Sequence, residues 1–109
     1  TIVINGKMAR SCIALAATMD GADIWTLEGL KDDPTIVQLR QSFHECHGLQ
    51  CGYCTPGMLI TARDIIARYG EPDEKFLREA LAGNICRCTG YAGIVKAVQH
   101  AATQLARRD

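Results

Sequence analysis

QCGYCTPG, residues Gln50 to Gly57, is the stretch that decides how this chain is read, and NICRCTGY, Asn84 to Tyr91, is its distant counterpart. Cys51 and Cys54 make one tight pair, and Cys86 and Cys88 make another. Each pair is flanked by residues that start or stop helices: Thr55-Pro56 after the first, Gly83-Asn84 before the second and Gly90 after it. Two such pairs, carried on two loops, can converge on one metal centre.

Outward from the cysteines, the pattern is helical. Thr35 is expected to begin a first helix whose Ile36, Leu39, Phe43 and Cys46 share one face, with Gly48 as its stop. Thr55 reads as the N-cap of a second helix and Pro56 as its first residue. Met58, Leu59, Ala62, Ile65, Ile66 and Tyr69 then trace an apolar stripe as far as Gly70. Pro72-Asp73 opens a third, shorter helix with Phe76, Leu77, Ala80 and Leu81 facing inward, stopped by Gly83-Asn84. A last helix starts near Tyr91, with Ile94, Val98, Ala101 or Ala102, and Leu105 in register. Four helices with short connections predict a mainly α domain packed as a four-helix bundle. The two cysteine pairs fall in the first and third connections, which can lie at the same end of such a bundle.

The front of the chain differs. Thr1 to Ile4 and Met8 to Cys12 read as short strands around an Asn5-Gly6 hairpin turn. Ser11 and the run Ile13 to Ala17 suggest a helical turn, and Ile24 to Leu27 a further strand. Lys31-Asp32-Asp33-Pro34 reads as a linker. These segments cannot bury a sheet alone, and Thr1 opens on TIVING with no initiator methionine. Residues 1–30 are therefore expected to be the C-terminal part of a β domain whose front is missing, and residues 31–109 the helical domain.

Composition sets limits on function. Twelve Lys and Arg balance twelve Asp and Glu across 109 residues, so no electrostatic footprint for nucleic acid or an anionic membrane is present. No apolar run approaches the ~20 residues of a membrane span, and no signal peptide opens the chain. The expected setting is cytoplasmic, with no direct membrane insertion. Six cysteines could mark a secreted disulfide scaffold, but helical patterning and the close C-x-C of Cys86 and Cys88 favour ligand chemistry.

Soft thiolates select zinc, copper(I) or iron–sulfur centres. On spacing alone, zinc and iron–sulfur stand about level. A redox C-x-x-C leaves Cys86 and Cys88 unexplained. Gly52 gives the backbone room to approach a centre, and Cys54 precedes a helix N-terminus whose N–H groups would favour negative sulfur.

QCGYCTPGM and GNICRCTGY, with VINGKMARSC at the front, resemble the iron–sulfur subunits of molybdenum hydroxylases, the family of xanthine dehydrogenase, aldehyde oxidoreductase and aerobic carbon monoxide dehydrogenase. The likeness runs through almost the whole chain. It implies a helical domain holding a [2Fe-2S] cluster through Cys51, Cys54, Cys86 and Cys88, preceded by a β-grasp ferredoxin-like domain holding a second. Cys12 matches the fourth ligand of that second, plant-type cluster, whose other ligands would lie in roughly 50 residues before Thr1. Gln50 and Cys88 match residues that lie against the pterin cofactor of a partner. The implied partners are a large molybdenum–pterin subunit, where substrate is oxidised, and a medium FAD subunit. Electrons would pass from molybdenum through the clusters to flavin or another acceptor. The competing reading is a structural zinc-binding interaction module.

Residues outside the motifs have plainer readings. Cys46 is expected to be a buried small hydrophobe, and His44 and His47 a surface or interface pair. His100 reads as structural and Met58 as core. Tyr53 and Tyr91 are expected to pack, and Arg87 is exposed between two ligands.

Overall fold

A computed structural model describes residues 1–108. Its helices are α1 (Pro34–Glu45), α2 (Thr55–Tyr69), α3 (Glu74–Ala80) and α4 (Ala92–Arg108). Its strands are β1 (Ile2–Ile4), β2 (Lys7–Ala9) and β3 (Ile24–Trp25), with 3-10 turns at Ser11–Ile13, Ala16–Thr18 and Leu27–Leu30. The predicted helical domain with a small strand portion is borne out.

The hairpin follows from its turn. Asn5 and Gly6 both take left-handed backbone, at φ 49° and 81°, the combination that matches the twist of flanking strands. β1 lies between β2 and β3, antiparallel to both, with Val3 opposite Met8 on one side and Trp25 on the other. The expected second and third strands are shorter than read, because the chain leaves the sheet at Arg10 and Thr26 to enter 3-10 turns.

The sheet packs on α2 while α1 packs against both α2 and α4, and α3 leans on α4. Val3 and Leu30 share one buried cluster with Ile36, Leu39, Phe43, Met58, Leu77, Ile94 and Val98. Each apolar stripe thus reaches the core as its period predicted. Tyr69 is the exception: it is exposed at the end of α2 and meets Phe76 edge-on, with ring centroids 4.6 Å apart.

Helix ends depart from the sequence reading in ways that position the loops. Pro34 is the first residue of α1, where its missing N–H is harmless, and Asp33 is the N-cap, accepting from the N–H groups of Thr35 at 3.0 Å and Ile36 at 3.1 Å. The left-handed residue after α1 is His47, φ 55°, rather than Gly48. α2 includes Thr55 as its first residue, with Cys54 as the N-cap position, so Thr55 does not cap. α3 stops at Ala80, three residues before the expected Gly83.

Asp33 also binds Arg63 of α2, at 3.0 and 3.1 Å. Burial works against ionisation of its carboxyl, but Arg63 and the N–H groups of Ile36 and Thr35 outweigh it and hold the pKa below the usual 3.8. A depressed carboxylate contributes stability above its unfolded pKa and loses it as pH falls through the lower folded value. Asp33→Ala should therefore cost about 1–2 kcal/mol at neutral pH. In paired thermal melts, that difference should shrink as pH is lowered below the ordinary Asp value.

Candidate metal centre

The α1–α2 connection carries Cys51 and Cys54, and the α3–α4 connection carries Cys86 and Cys88. The two loops meet at one end of the helices. Cys51 and Cys88 sulfurs are 3.5 Å apart, across 37 residues of chain. Cys54 and Cys86 lie close enough for each thiol to shift the other's ionisation. Cys51 and Cys88 are exposed, Cys54 is half-buried and Cys86 is buried.

Glycine permits this convergence at two points. Gly93, near the start of α4, passes so close to the end of α1 that an added Cβ would stand 2.7 Å from the His47 carbonyl oxygen and 3.1 Å from that of Cys46. At Gly57, in the first turn of α2, a Cβ would stand 2.7 Å from Asn84 Oδ1. Asn84 also donates to the buried Thr61 hydroxyl at 2.9 Å, so the second cysteine loop is tied directly to α2.

Hydrogen bonds at the sulfurs are uneven. Cys51 Sγ accepts from the Tyr53 N–H at 3.4 Å. Cys86 Sγ lies 3.1 Å from the Thr89 hydroxyl and accepts from the Thr89 N–H at 3.4 Å. The Tyr91 hydroxyl accepts from the Cys86 N–H at 2.9 Å, so Tyr91 does more than pack.

These contacts set the thiols apart. The Thr89 hydroxyl is the main force pulling Cys86 down to about 7. Burial, then the neighbouring Cys86 sulfur, pushes Cys54 up to about 11. The Tyr53 N–H lowers Cys51, and the hydrogen bond to Cys51 raises Cys88.

All four thiols act on one another's ionisation, which places them around one small region at the loop end of the helices. Within that region Cys51 lies against Cys88, and Cys54 and Cys86 affect each other's thiol. The 3.5 Å between Cys51 and Cys88 suits two sulfurs on one tetrahedral atom, for which bonds of about 2.3 Å give a separation of roughly 3.7 Å. Thr55, next to Cys54, keeps a buried hydroxyl oxygen with no partner among the described residues, a polar group left over beside the ligand loop.

Other expected residues are not members of these pairs. Cys12 is exposed in the first 3-10 turn. Gln50 is exposed beside Cys51. Cys46 is half-buried against the core, and His44 and His47 are exposed. His100 Nδ1 meets the buried Ser42 hydroxyl at 2.9 Å, joining α4 to α1 as a structural histidine would. Tyr53, expected to pack, is instead 92% exposed, and Ile85 beside the other pair is 83% exposed.

Paired cysteines on two loops of a small helical domain form the kind of site that a small metal cluster can occupy. The chain belongs to the [2Fe-2S] binding domain family, which matches residues 26–99. It is 42% identical to the caffeine dehydrogenase subunit gamma of a Pseudomonas species, over all of this chain and 68% of that protein. It is 39% identical to the xanthine dehydrogenase iron-sulfur-binding subunit of Escherichia coli O157:H7, over 90% of this chain and 63% of that one. The chain thus spans about two thirds of the length of these relatives. Quinoline 2-oxidoreductase from Pseudomonas putida 86 superposes with a TM-score of 0.86 at 44% identity, covering 98% of this chain and 67% of the matched one. The likeness carried by QCGYCTPGM and GNICRCTGY is thus borne out: this is an iron–sulfur chain of the xanthine dehydrogenase and aldehyde oxidoreductase type.

Proposed function

We propose that the chain is the electron-transfer subunit of a molybdenum hydroxylase complex, with substrate oxidised in a partner. The observation that carries this reading is the meeting of Cys51 with Cys88, and of Cys54 with Cys86, at one end of a [2Fe-2S] binding domain. Those four cysteines, Cys51, Cys54, Cys86 and Cys88, would hold the cluster. A bound [2Fe-2S] cluster supplies a one-electron carrier that neither takes nor gives up a substrate atom.

The chain's own contribution is to fix and shield that group. Cys86 is buried, the Tyr91 hydroxyl and Asn84 brace its loop, and Tyr53 and Thr89 donate to sulfur. On the other side, exposed Cys51 and Cys88 are accompanied by Gln50, Tyr53 and Ile85, an open surface with apolar side chains. We assign this end to the large molybdenum–pterin subunit, with Gln50 and Cys88 facing the pterin. A short gap there would favour rapid electron entry.

Residues 1–30 are assigned to a ferredoxin-like domain and residues 31–109 to the helical one. Cys12 is the proposed ligand of a second [2Fe-2S] cluster whose remaining ligands lie outside these 109 residues. An FAD subunit is the proposed acceptor and the cytoplasm the proposed compartment; among the described residues no helix is long and apolar enough to cross a membrane. The zinc-module alternative is disfavoured by the match to the [2Fe-2S] binding domain family and to iron–sulfur subunits.

Rapid mixing of the assembled complex with its substrate tests the assignment. Cluster absorbance should bleach within a turnover. Turnover with a cluster that stays oxidised throughout would exclude the chain from the electron path.

A further inference from the structure

We propose that Thr89 is a positioning residue whose side-chain hydroxyl donates a hydrogen bond to the Cys86 sulfur and thereby raises the reduction potential of the cluster. The inference rests on the assignment of Cys86 as a ligand.

The donor direction follows from the contacts. A metal-bound cysteine is a thiolate and has no proton to give. The Thr89 oxygen, 3.1 Å from Cys86 Sγ, also accepts from the Tyr91 N–H at 3.1 Å. A hydroxyl has one proton, and with its oxygen engaged by Tyr91 that proton is free for sulfur. The Thr89 N–H, at 3.4 Å, adds a second donor to the same atom.

The loop is bent to hold this geometry. Gly90 and Tyr91 both have φ 70°, a left-handed conformation that is uncommon for a tyrosine. The bend brings the Tyr91 N–H to Thr89 and the Tyr91 hydroxyl back to the Cys86 N–H. Thr89 is thus held through its oxygen, and Cys86 through both its nitrogen and its sulfur.

Among the described residues no other proposed ligand sulfur has a hydroxyl partner; Cys51 receives one backbone N–H at 3.4 Å. Reduction adds one electron, and sulfur shares the added negative charge. Hydrogen bonds to an ionised acceptor are roughly twice as strong as neutral ones, and Cys86 is only 8% exposed, so water competes little. A donor at this sulfur stabilises the reduced state more than the oxidised one, and hydrogen bonds to cluster sulfurs are an established lever on potential.

Thr89→Val, Thr89→Ala and Thr89→Ser in the assembled complex separate tuning from support. Iron and acid-labile sulfide are measured first, and the cluster potential is then read by EPR-monitored titration with mediator dyes. The Val and Ala variants should keep iron and sulfide while their one-electron equilibrium shifts about tenfold toward the oxidised form, equivalent to about 59 mV. Thr89→Ser should return to the wild-type potential. Wild-type potentials in the Val and Ala variants, or a Ser variant that does not recover, would overturn the proposal. Loss of the cluster from the Val and Ala variants would overturn it too, by making the hydroxyl a structural requirement. A wild-type complex lacking iron and sulfide would instead overturn the ligand assignment.

Discussion

Cys51→Ser or Cys86→Ser should lose most of the iron and acid-labile sulfide bound through the helical domain, while Cys46→Ser should keep both. The contrast follows from where the three thiols lie. Cys51 meets Cys88 at 3.5 Å, and Cys86 sits buried under two donors from Thr89. Neither has a neighbouring thiol able to take its place, since Cys46 lies at the end of α1 packed against the core. A serine hydroxyl is a harder, far less acidic ligand than a thiol, so the site would have one strong bond fewer. Binding free energy of a metal centre is also folding free energy, and both variants should melt lower than wild type. Cys46→Ser should cost only the partial burial of a hydroxyl, about 1 kcal/mol. Metal and sulfide analysis beside melting curves reads all three; equal losses would contradict the ligand assignment.

Gly93→Ala should be strongly destabilising, since among the glycines it alone would set a Cβ under 3.0 Å from backbone atoms. A Cβ there would stand 2.7 Å from the His47 carbonyl oxygen and 3.1 Å from the Cys46 oxygen. Both are backbone atoms, so no side-chain rotation relieves the clash. His47 is itself left-handed at φ 55°, which limits how far that segment can shift. Overpacking of this kind costs about 1–3 kcal/mol, and the upper end is expected here. For a domain of this size that lowers the melting temperature by on the order of 10 °C. Because α4 would be pushed from α1 beside the cysteine loops, cluster retention should fall with it. Gly21→Ala offers a comparison at a left-handed glycine with open space around the added carbon and away from the cysteine loops, where only backbone strain is at stake. A Gly93→Ala variant as stable as wild type would mean that the α1–α4 contact is not this close.

Much of the fold was legible because its signals are local and periodic. The stripes of Ile36, Leu39 and Phe43, and of Ile94, Val98 and Ala101, reach the core as their spacing requires. Asn5-Gly6 makes the turn its dipeptide announces. The four cysteines and their common end of the bundle were legible from the loops that carry them. Capping was less so: Asp33-Pro34 reads as a linker in sequence, yet Asp33 caps α1 and Pro34 fills its first position. Thr55-Pro56 looks like a cap, but Cys54 takes that place and the Thr55 hydroxyl is buried instead.

The supporting contacts were illegible for a different reason. Thr89 lies three residues beyond Cys86, and only the left-handed bend at Gly90 and Tyr91 brings its hydroxyl and the Tyr91 ring back to that cysteine. Asn84 and Thr61 meet across 23 residues. Gly93 gave one usable hint, since a glycine in the first turn of a helix forgoes favourable propensity. The wide exposure of Tyr53 had no sequence signal, because aromatic residues ordinarily find cover within their own chain.

Quantifying iron, acid-labile sulfide and zinc in the purified protein tests the central claim most directly. Iron and sulfide in equal amounts, two of each for the cluster proposed at Cys51, Cys54, Cys86 and Cys88, with the visible absorbance of an iron–sulfur centre, are the expected result. A colourless protein with one zinc and no sulfide would contradict it.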